Sequence, residues 1–274
     1  MAISGSGTEQ DPYIVDNWVD LKTCAANNVW VELNADINLL DNYPTGNVPQ
    51  LNVYGSKIDG KGHSILNCYH TINEPMIRSS SADGYIKNLN FGNIYHTTSS
   101  AFINPNTTDN YLFQNCKIWG ITVGGFTEKS GNSSVYKTFY GCSICIKCLN
   151  NWFTNNAKYE SCNVYVDLTL SNYQHLVEYH WQYNFVSCYL EVHNIARLAN
   201  NDEWAFSGSN CVLNFYQSSG INVANLRQES GLISILNKTN APSLTATQYL
   251  KNVTQENWLN PIYLNSIGFN INPV

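Results

Sequence analysis

The chain has 274 residues, of which 12% are charged and 13% aromatic, and its formal net charge is −6. Because no basic cluster interrupts this weakly acidic background, composition argues against a nucleic-acid-binding protein. The opening MAISGSGTEQD lacks the basic stretch and apolar core of a signal peptide, and no apolar run is long enough to span a membrane. We therefore expect no membrane insertion, and a chain made in the cytoplasm or one whose targeting segment was removed.

A phrase built around a cysteine recurs five times along the middle of the chain. Each copy has Asn, Gly or Ser directly before the cysteine and alternating apolar positions after it; the cysteines are Cys116, Cys142, Cys162, Cys188 and Cys211. Gly and Asn tolerate left-handed backbone and Ser bonds its own backbone, so a turn is predicted before each cysteine. The spacing varies between 20 and 26 residues, which suits coils of unequal length.

The residues after each cysteine predict which kind of coil this is. Two and four positions beyond the cysteine the side chains are nearly all apolar, whereas three and five positions beyond it they are mixed and mostly polar. Period two indicates β-strands with one buried face. Since every copy runs in the same direction, the strands stack in parallel at about 4.8 Å per coil. We therefore predict an all-β fold, a single-stranded parallel β-helix or solenoid.

Two columns of side chains should fill the interior of this solenoid. The cysteines share the parity of the inward residues, so we expect buried thiols outside any disulfide. Three residues before each cysteine an aromatic column is predicted to end at Gly208; its members are Phe113, Phe139, Tyr159 and Phe185. A weaker earlier copy, YIKNLNFGNI, would place Tyr85 in the aromatic position and Asn88 in the cysteine position, with Leu89 and Phe91 facing outward.

Both ends of the chain carry a family resemblance. The opening GSGTEQDPYIVDNWVDLKTCA, followed by VWVELNADINL and KIDGKGHSI, and the tail LTATQYLKNVTQENWLNPIYLNSIGFNI resemble pectin-lyase-like right-handed parallel β-helix proteins of bacterial surface adhesins and phage spikes. The resemblance implies a right-handed solenoid over 1–240, with a capping helix over 16–26 and a turn at 59–62. It also implies a C-terminal capping segment over 241–274, since a solenoid must cover its open ends.

Two acidic residues are candidates for catalysis. Asp167 and Glu191 occupy neighbouring outward columns on adjacent coils, with Tyr165 and His193 beside them. Carboxylates about 5 to 9 Å apart serve as the acid and the base or nucleophile of glycoside hydrolysis. A solvated surface of mixed charges explains the same residues without chemistry, so no catalytic residue is assigned.

Two tryptophans are candidates for carbohydrate binding. Trp181 and Trp204 both precede their cysteines by seven residues, which would place one above the other on adjacent coils. Exposed rings in that arrangement form a platform for sugar faces, and rings packed under a loop or a neighbouring subunit are the alternative. We assign carbohydrate binding to Trp181, Trp204, Tyr165 and His193.

These features predict a non-catalytic structural or adhesion component of a phage particle, such as a head fibre, spike or tail-associated receptor-binding protein. Its expected location is the virion, its expected partners are host surface polysaccharide and other virion proteins, and spikes of this type suggest a homotrimer. No metal or other cofactor is expected, because the spacing in C-x-x-C-x-x-C alternates faces on a strand. The alternatives are a polysaccharide depolymerase, a glycoside hydrolase or lyase using Asp167 and Glu191, and a bacterial surface adhesin.

Overall fold

The structure is a computed structural model. It describes residues 3–79, 84–105, 111–127, 137–149, 152–154, 157–168, 175–177, 184–186, 188–195, 197–199, 207–209, 212–217, 227–228 and 234–237. Within these ranges nearly all regular structure is β-strand, with one α-helix, α1 (Trp18–Ala25), and a single 3-10 turn (Leu39–Asp41). This confirms the predicted all-β class.

The strands are short, mostly of two to seven residues. In chain order they are β1 Tyr13–Val15, β2 Trp30–Leu33, β3 Ile37–Asn38, β4 Leu51–Val53, β5 Lys57–Asp59, β6 Ser64–Leu66, β7 Tyr69–His70, β8 Ile77–Ser79, β9 Tyr85–Lys87, β10 Asn90–His96, β11 Ile103–Pro105, β12 Tyr111–Gln114, β13 Lys117–Thr122, β14 Lys137–Tyr140, β15 Ser143–Cys148, β16 Ala157–Glu160, β17 Asn163–Asp167, β18 His175–Val177, β19 Asn184–Val186, β20 Tyr189–Ile195, β21 Arg197–Ala199, β22 Ser207–Ser209, β23 Val212–Gln217, β24 Arg227–Gln228 and β25 Ser234–Asn237.

Two ten-stranded sheets run along the molecule. The first long sheet has the order β1-β2-β5-β9-β12-β14-β16-β19-β22-β24, and the second has the order β25-β23-β20-β17-β15-β13-β10-β6-β3, with β7 also paired to β10. Shorter sheets, β11-β8-β4 and β18-β21, lie beside them. The strands of each sheet pair in parallel and come from successive passes of the chain, so the fold is a parallel β-solenoid.

A left-handed turn joins the two long sheets in successive coils. The residue at this turn has a positive φ in Asn88 (51°), Asn115 (53°), Gly141 (63°) and Ser161 (55°). This backbone region is favourable mainly for Gly and Asn. The predicted reason for Asn, Gly or Ser before the cysteines is therefore confirmed at Asn115, Gly141 and Ser161.

The cysteine column lies in the interior as predicted. Cys116, Cys142, Cys162 and Cys188 are buried and none is in a disulfide, whereas Cys211 lies outside the described residues. Each Sγ atom of Cys116, Cys142 and Cys162 lies 3.3 to 3.5 Å from two backbone carbonyl oxygens, and one of these two oxygens belongs to the preceding coil. These thiols therefore find their hydrogen-bond acceptors in the backbone of the solenoid.

The aromatic column is also confirmed. Phe113, Phe139, Tyr159 and Phe185 are buried in register on the first long sheet, and neighbouring ring centroids are 4.9, 5.0 and 4.6 Å apart. Gly208 pairs with Phe185 on the next strand, where the column was expected to end. Ring separation follows the coil spacing, because the ladder holds each residue over its counterpart.

The weaker earlier copy is real, but its predicted register is wrong by one residue. Ile86 pairs with Phe113, and Phe91 pairs with Ile118. Leu89 and Phe91 are therefore buried in the core rather than facing outward. Asn88 has a positive φ, which is the mark of the left-handed turn residue. It therefore occupies the turn and not the cysteine position, one residue away from its predicted place.

The N-terminal cap forms as the resemblance implied. Asn17 caps the N-terminus of α1, and its Oδ1 accepts a hydrogen bond from the Asp20 backbone N–H at 3.0 Å. Trp18 and Leu21 are fully buried at this end of the core. At eight residues α1 is too short to cross a membrane, and none of the described segments contains a helix that could do so. The predicted C-terminal cap, 241–274, lies outside the described residues.

Candidate functional site

Two rows of side chains on the second long sheet alternate with the core residues and face away from the core. The strand register aligns Trp119, Cys145, Tyr165 and Glu191 in the first outer row. It aligns Ile121, Lys147 and Asp167 in the second outer row, and the backbone of His193 pairs with Asp167 on the next strand. These are the columns that the sequence predicted on the outward face.

Most of the described outer-row side chains are covered, although the sequence predicted a solvated surface, whereas Ile121 is half-buried. Trp119, Cys145 and Tyr165 are 3%, 1% and 6% exposed, yet they lie outside the core cluster. Asp167 is 1% and Glu191 0% exposed. The prediction of a solvent-exposed face is therefore wrong here, because strand parity selects the face of a residue but not what packs over that face.

Lys147, Asp167 and Glu191 form a charged cluster within this covered face. Lys147 on β15 pairs directly with Asp167 on β17, and the Lys147 Nζ lies 3.9 Å from the Asp167 Oδ2. Their side chains are only 8% and 1% exposed. The pair is therefore a buried ion pair, for which removal from water costs several kcal/mol per ion before mutual attraction repays it.

Glu191 adds a second carboxylate one coil beyond Asp167. Its backbone pairs with Tyr165, whereas Asp167 pairs with His193, so the two acids are diagonal neighbours on adjacent strands. Strands 4.8 Å apart with an offset of two residues place their Cα atoms about 8 Å apart. Both side chains are withdrawn from solvent, whereas paired catalytic carboxylates must flank the sugar linkage that they cleave.

The pKa of the Cys145 thiol depends on this environment. Burial raises its pKa well above the ordinary cysteine value, and the nearby carboxylates of Glu191 and Asp167 raise the pKa further. A thiolate at this position would be poorly solvated and repelled by two acids. Both effects favour the protonated thiol of Cys145 over the nucleophilic thiolate.

The remaining predicted site residues have separate outcomes. The structure brings Tyr165 next to Glu191 in the first outer row and aligns the backbone of His193 with Asp167. Trp181 and Trp204 lie outside the described residues, so the ring platform remains a prediction. Tyr165 is buried, and its ring is not available to a soluble sugar in this structure.

Lys147 is the member of the cluster that the sequence reasoning missed as a functional residue. It stands five positions after Cys142, as Asp167 stands five positions after Cys162. That shared position was the available signal, because equal offsets from the turn place residues side by side on adjacent coils. No group of three metal-ligating side chains occurs within the described ranges.

A second missed feature is a buried histidine pair. The rings of His70 and His96 stack in parallel at 5.2 Å, and the Nε2 atoms lie 2.9 and 3.1 Å from the Glu74 backbone oxygen. Burial lowers the pKa of His96 to about 4; the contact with Glu74 opposes this shift and the neighbouring His70 adds to it. The Tyr-His dipeptide that recurs at 69–70 and 95–96 was the signal in the sequence.

Comparison with known proteins yields little. No family model and no curated protein matches the chain. Among solved structures, the chain is similar to a "putative immunoglobulin A1 protease" from Bacteroides ovatus, with 14% sequence identity and a TM-score of 0.47 over 89% of this chain and 83% of that one.

Proposed function

We propose that this protein is a non-catalytic structural and adhesion component of a phage particle, a head fibre, spike or tail-associated receptor binder, that contacts a host surface glycan. In this proposal the solenoid is a stiff scaffold, and the flank carrying Trp181 and Trp204 makes the contact. Virion location, homotrimeric assembly and contact with other virion proteins belong to the same proposal and rest on the resemblance of the chain ends to spike proteins.

The observation that carries the non-catalytic part is the burial of the acid pair. A glycoside hydrolase must place its carboxylates on either side of a sugar linkage, within reach of the scissile oxygen. Asp167 and Glu191 are 1% and 0% exposed, and Lys147 is already placed against Asp167. A polysaccharide chain has no access to these carboxylates in this structure, which supports binding or scaffolding over cleavage.

The stacking of side chains and the pairing of strands between coils support the structural part of the proposal. Along the first long sheet, Phe113, Phe139, Tyr159 and Phe185 stack without interruption. Each coil therefore contacts its neighbours through both backbone hydrogen bonds and side-chain packing, which stiffens a solenoid along its axis. A stiff rod suits a component that holds a binding surface away from a particle.

The test combines binding and turnover on one preparation. Purified protein is incubated with capsular or lipopolysaccharide-derived glycan from the host, and retention on the glycan and release of reducing ends are both measured. We expect retention without release, and labelling of intact particles by antibodies against the protein. Release of reducing ends that is abolished in Asp167→Asn or Glu191→Gln would overturn the proposal in favour of a depolymerase.

A further inference from the structure

We propose that Lys147 and Asp167 become joined by an intramolecular isopeptide bond, with Glu191 transferring the proton. The bond would link β15 to β17 and so tie two adjacent coils together covalently. This inference concerns the charged cluster alone and does not depend on glycan binding.

The register supplies the proximity that the reaction requires. Lys147 and Asp167 are Cα partners on parallel strands and belong to the same outer row, so their side chains extend side by side from one face. The Lys147 Nζ is already 3.9 Å from the Asp167 Oδ2. Bond formation needs only a small rotation of the long lysine side chain, and holding two reactants in this way replaces a bimolecular encounter.

The surroundings favour the amide over the ion pair. The two side chains are 8% and 1% exposed, and Glu191 is fully buried. In such a site an ion pair has lost most of its hydration, whereas a neutral amide has far less hydration to lose. Exclusion of bulk water also removes the reactant for hydrolysis, so an amide once formed would persist.

The chemistry balances without an oxidant or a cofactor. Glu191, as carboxylate, takes a proton from the Lys147 ammonium and passes it to a carboxylate oxygen of Asp167, while the resulting amine attacks the Asp167 Cγ. The C–N bond forms, Glu191 carries a second proton from the nitrogen to the same oxygen, one C–O bond of Asp167 breaks, and that oxygen leaves as water. In sum, one ammonium and one carboxylate become one amide and one water molecule, and Glu191 ends unchanged.

Glu191 is assigned the proton transfer because of its position. It lies one strand beyond Asp167 on the same covered face. Asp167 and Glu191 are 1% and 0% exposed and are diagonal neighbours in the register, so both carboxylates lie in the same water-poor part of this face. A buried carboxylate beside the reacting pair can accept and return a proton where water cannot.

An exposed pair on the first long sheet provides a matched control. Lys158 Nζ lies 3.1 Å from Glu160 Oε2, which is closer than in the buried pair, but these side chains are 38% and 36% exposed. Water stabilises their charges and separates them readily. If proximity alone were sufficient, this pair would condense first; because burial is required, we expect it to remain an ion pair.

The test is mass spectrometry of the full-length protein after denaturation and proteolysis. The expected product is a branched peptide joining the Lys147 and Asp167 segments, lighter than its two parts by one water molecule, with no cleavage by trypsin after Lys147. Recovery of the two segments as separate peptides from folded protein would overturn the proposal. A branched peptide joining Lys147 to Glu191 would overturn the assigned partner.

Variants separate proximity from proton transfer. Lys147→Arg abolishes the branched peptide, and Lys158→Arg leaves it unchanged. Glu191→Gln keeps the size of the side chain and slows linkage by about a hundredfold or more, the usual contribution of a positioned acid or base. Circular dichroism establishes that each variant is folded, and full linkage in folded Glu191→Gln at the wild-type rate would overturn the role of Glu191.

Discussion

Replacing Phe139 by Ala tests whether the aromatic column holds the coils together. Phe139 is fully buried, and its ring contacts Phe113 at 4.9 Å, Tyr159 at 5.0 Å and Phe126 at 5.6 Å. Truncation of a buried Phe to Ala typically costs about 3 to 5 kcal/mol of unfolding free energy, the cost depending on how far the site can collapse. The ladder fixes the neighbouring rings at the coil spacing, so little collapse is available.

We therefore expect a loss near the upper end, about 4 to 5 kcal/mol, which already contains the lost ring-ring interactions. A domain of ordinary stability has only about 5 to 15 kcal/mol in total, so the variant should be severely destabilised. Urea unfolding followed by far-ultraviolet circular dichroism measures the change. Hydrogen exchange of the amides in β12, β14 and β16 shows whether the loss is local, as expected when each coil contacts only its neighbours.

Tyr140→Ala is the matched control, because Tyr140 is the next residue on the same strand but faces outward and is 41% exposed. Its replacement should change the unfolding free energy by about 0.5 kcal/mol or less. If Phe139→Ala costs no more than Tyr140→Ala, the column is not a principal source of stability and the reasoning fails.

Four further predictions concern the thiols, the histidine pair, the ring platform and assembly. Cys162→Ser should lower the unfolding free energy by about 1 to 3 kcal/mol and Cys162→Ala by less, because a buried hydroxyl needs hydrogen-bond partners and a methyl group does not. Rapid labelling of the column thiols in native protein would contradict their burial. Because the pKa of His96 is lowered to about 4, the unfolded chain binds this proton first as pH falls, so stability present above about pH 6.5 should be lost towards pH 4. His96→Gln should flatten the dependence of the urea midpoint on pH in that window, and an unchanged slope would argue against the assignment. Trp181→Ala and Trp204→Ala should each weaken glycan binding by about 1 to 3 kcal/mol with folding nearly unchanged, whereas Asp167→Asn should alter binding only modestly. Light scattering should give a homotrimer, and a stable monomer at high concentration would contradict that part of the proposal.

Much of the solenoid could be predicted because its signals are local and repeated. Alternation after each cysteine specifies a strand with one buried face, and the residue before it specifies the turn. Four copies of these signals predicted the buried cysteine and aromatic columns, with Phe185 as the last ring before Gly208. The register error at Asn88 arose where no cysteine marks the copy, since a slip of one residue exchanges the two faces of a strand.

The candidate site was harder to predict because its character depends on solvent access. The placement of Asp167 and Glu191 as diagonal neighbours on adjacent coils followed from their offsets of five and three residues from Cys162 and Cys188, but the same pattern suits a solvated face. The structure instead surrounds the two acids with Lys147, Tyr165 and Cys145 on a covered face. Burial changes their chemistry from ordinary surface charges to a constrained ion pair beside a second acid.

The sequence by itself therefore determined the coil, its turns and, where a cysteine marks the copy, the face on which the strand residues lie, because these depend on backbone geometry within a few residues of each position. Only the tertiary structure decided that the second long sheet is covered on its outer face around Asp167 and Glu191, and that Lys147 lies against Asp167 there. Coverage depends on contacts between parts of the chain distant in sequence, and no short-range periodicity records them. The chemistry open to the charged cluster follows from that coverage.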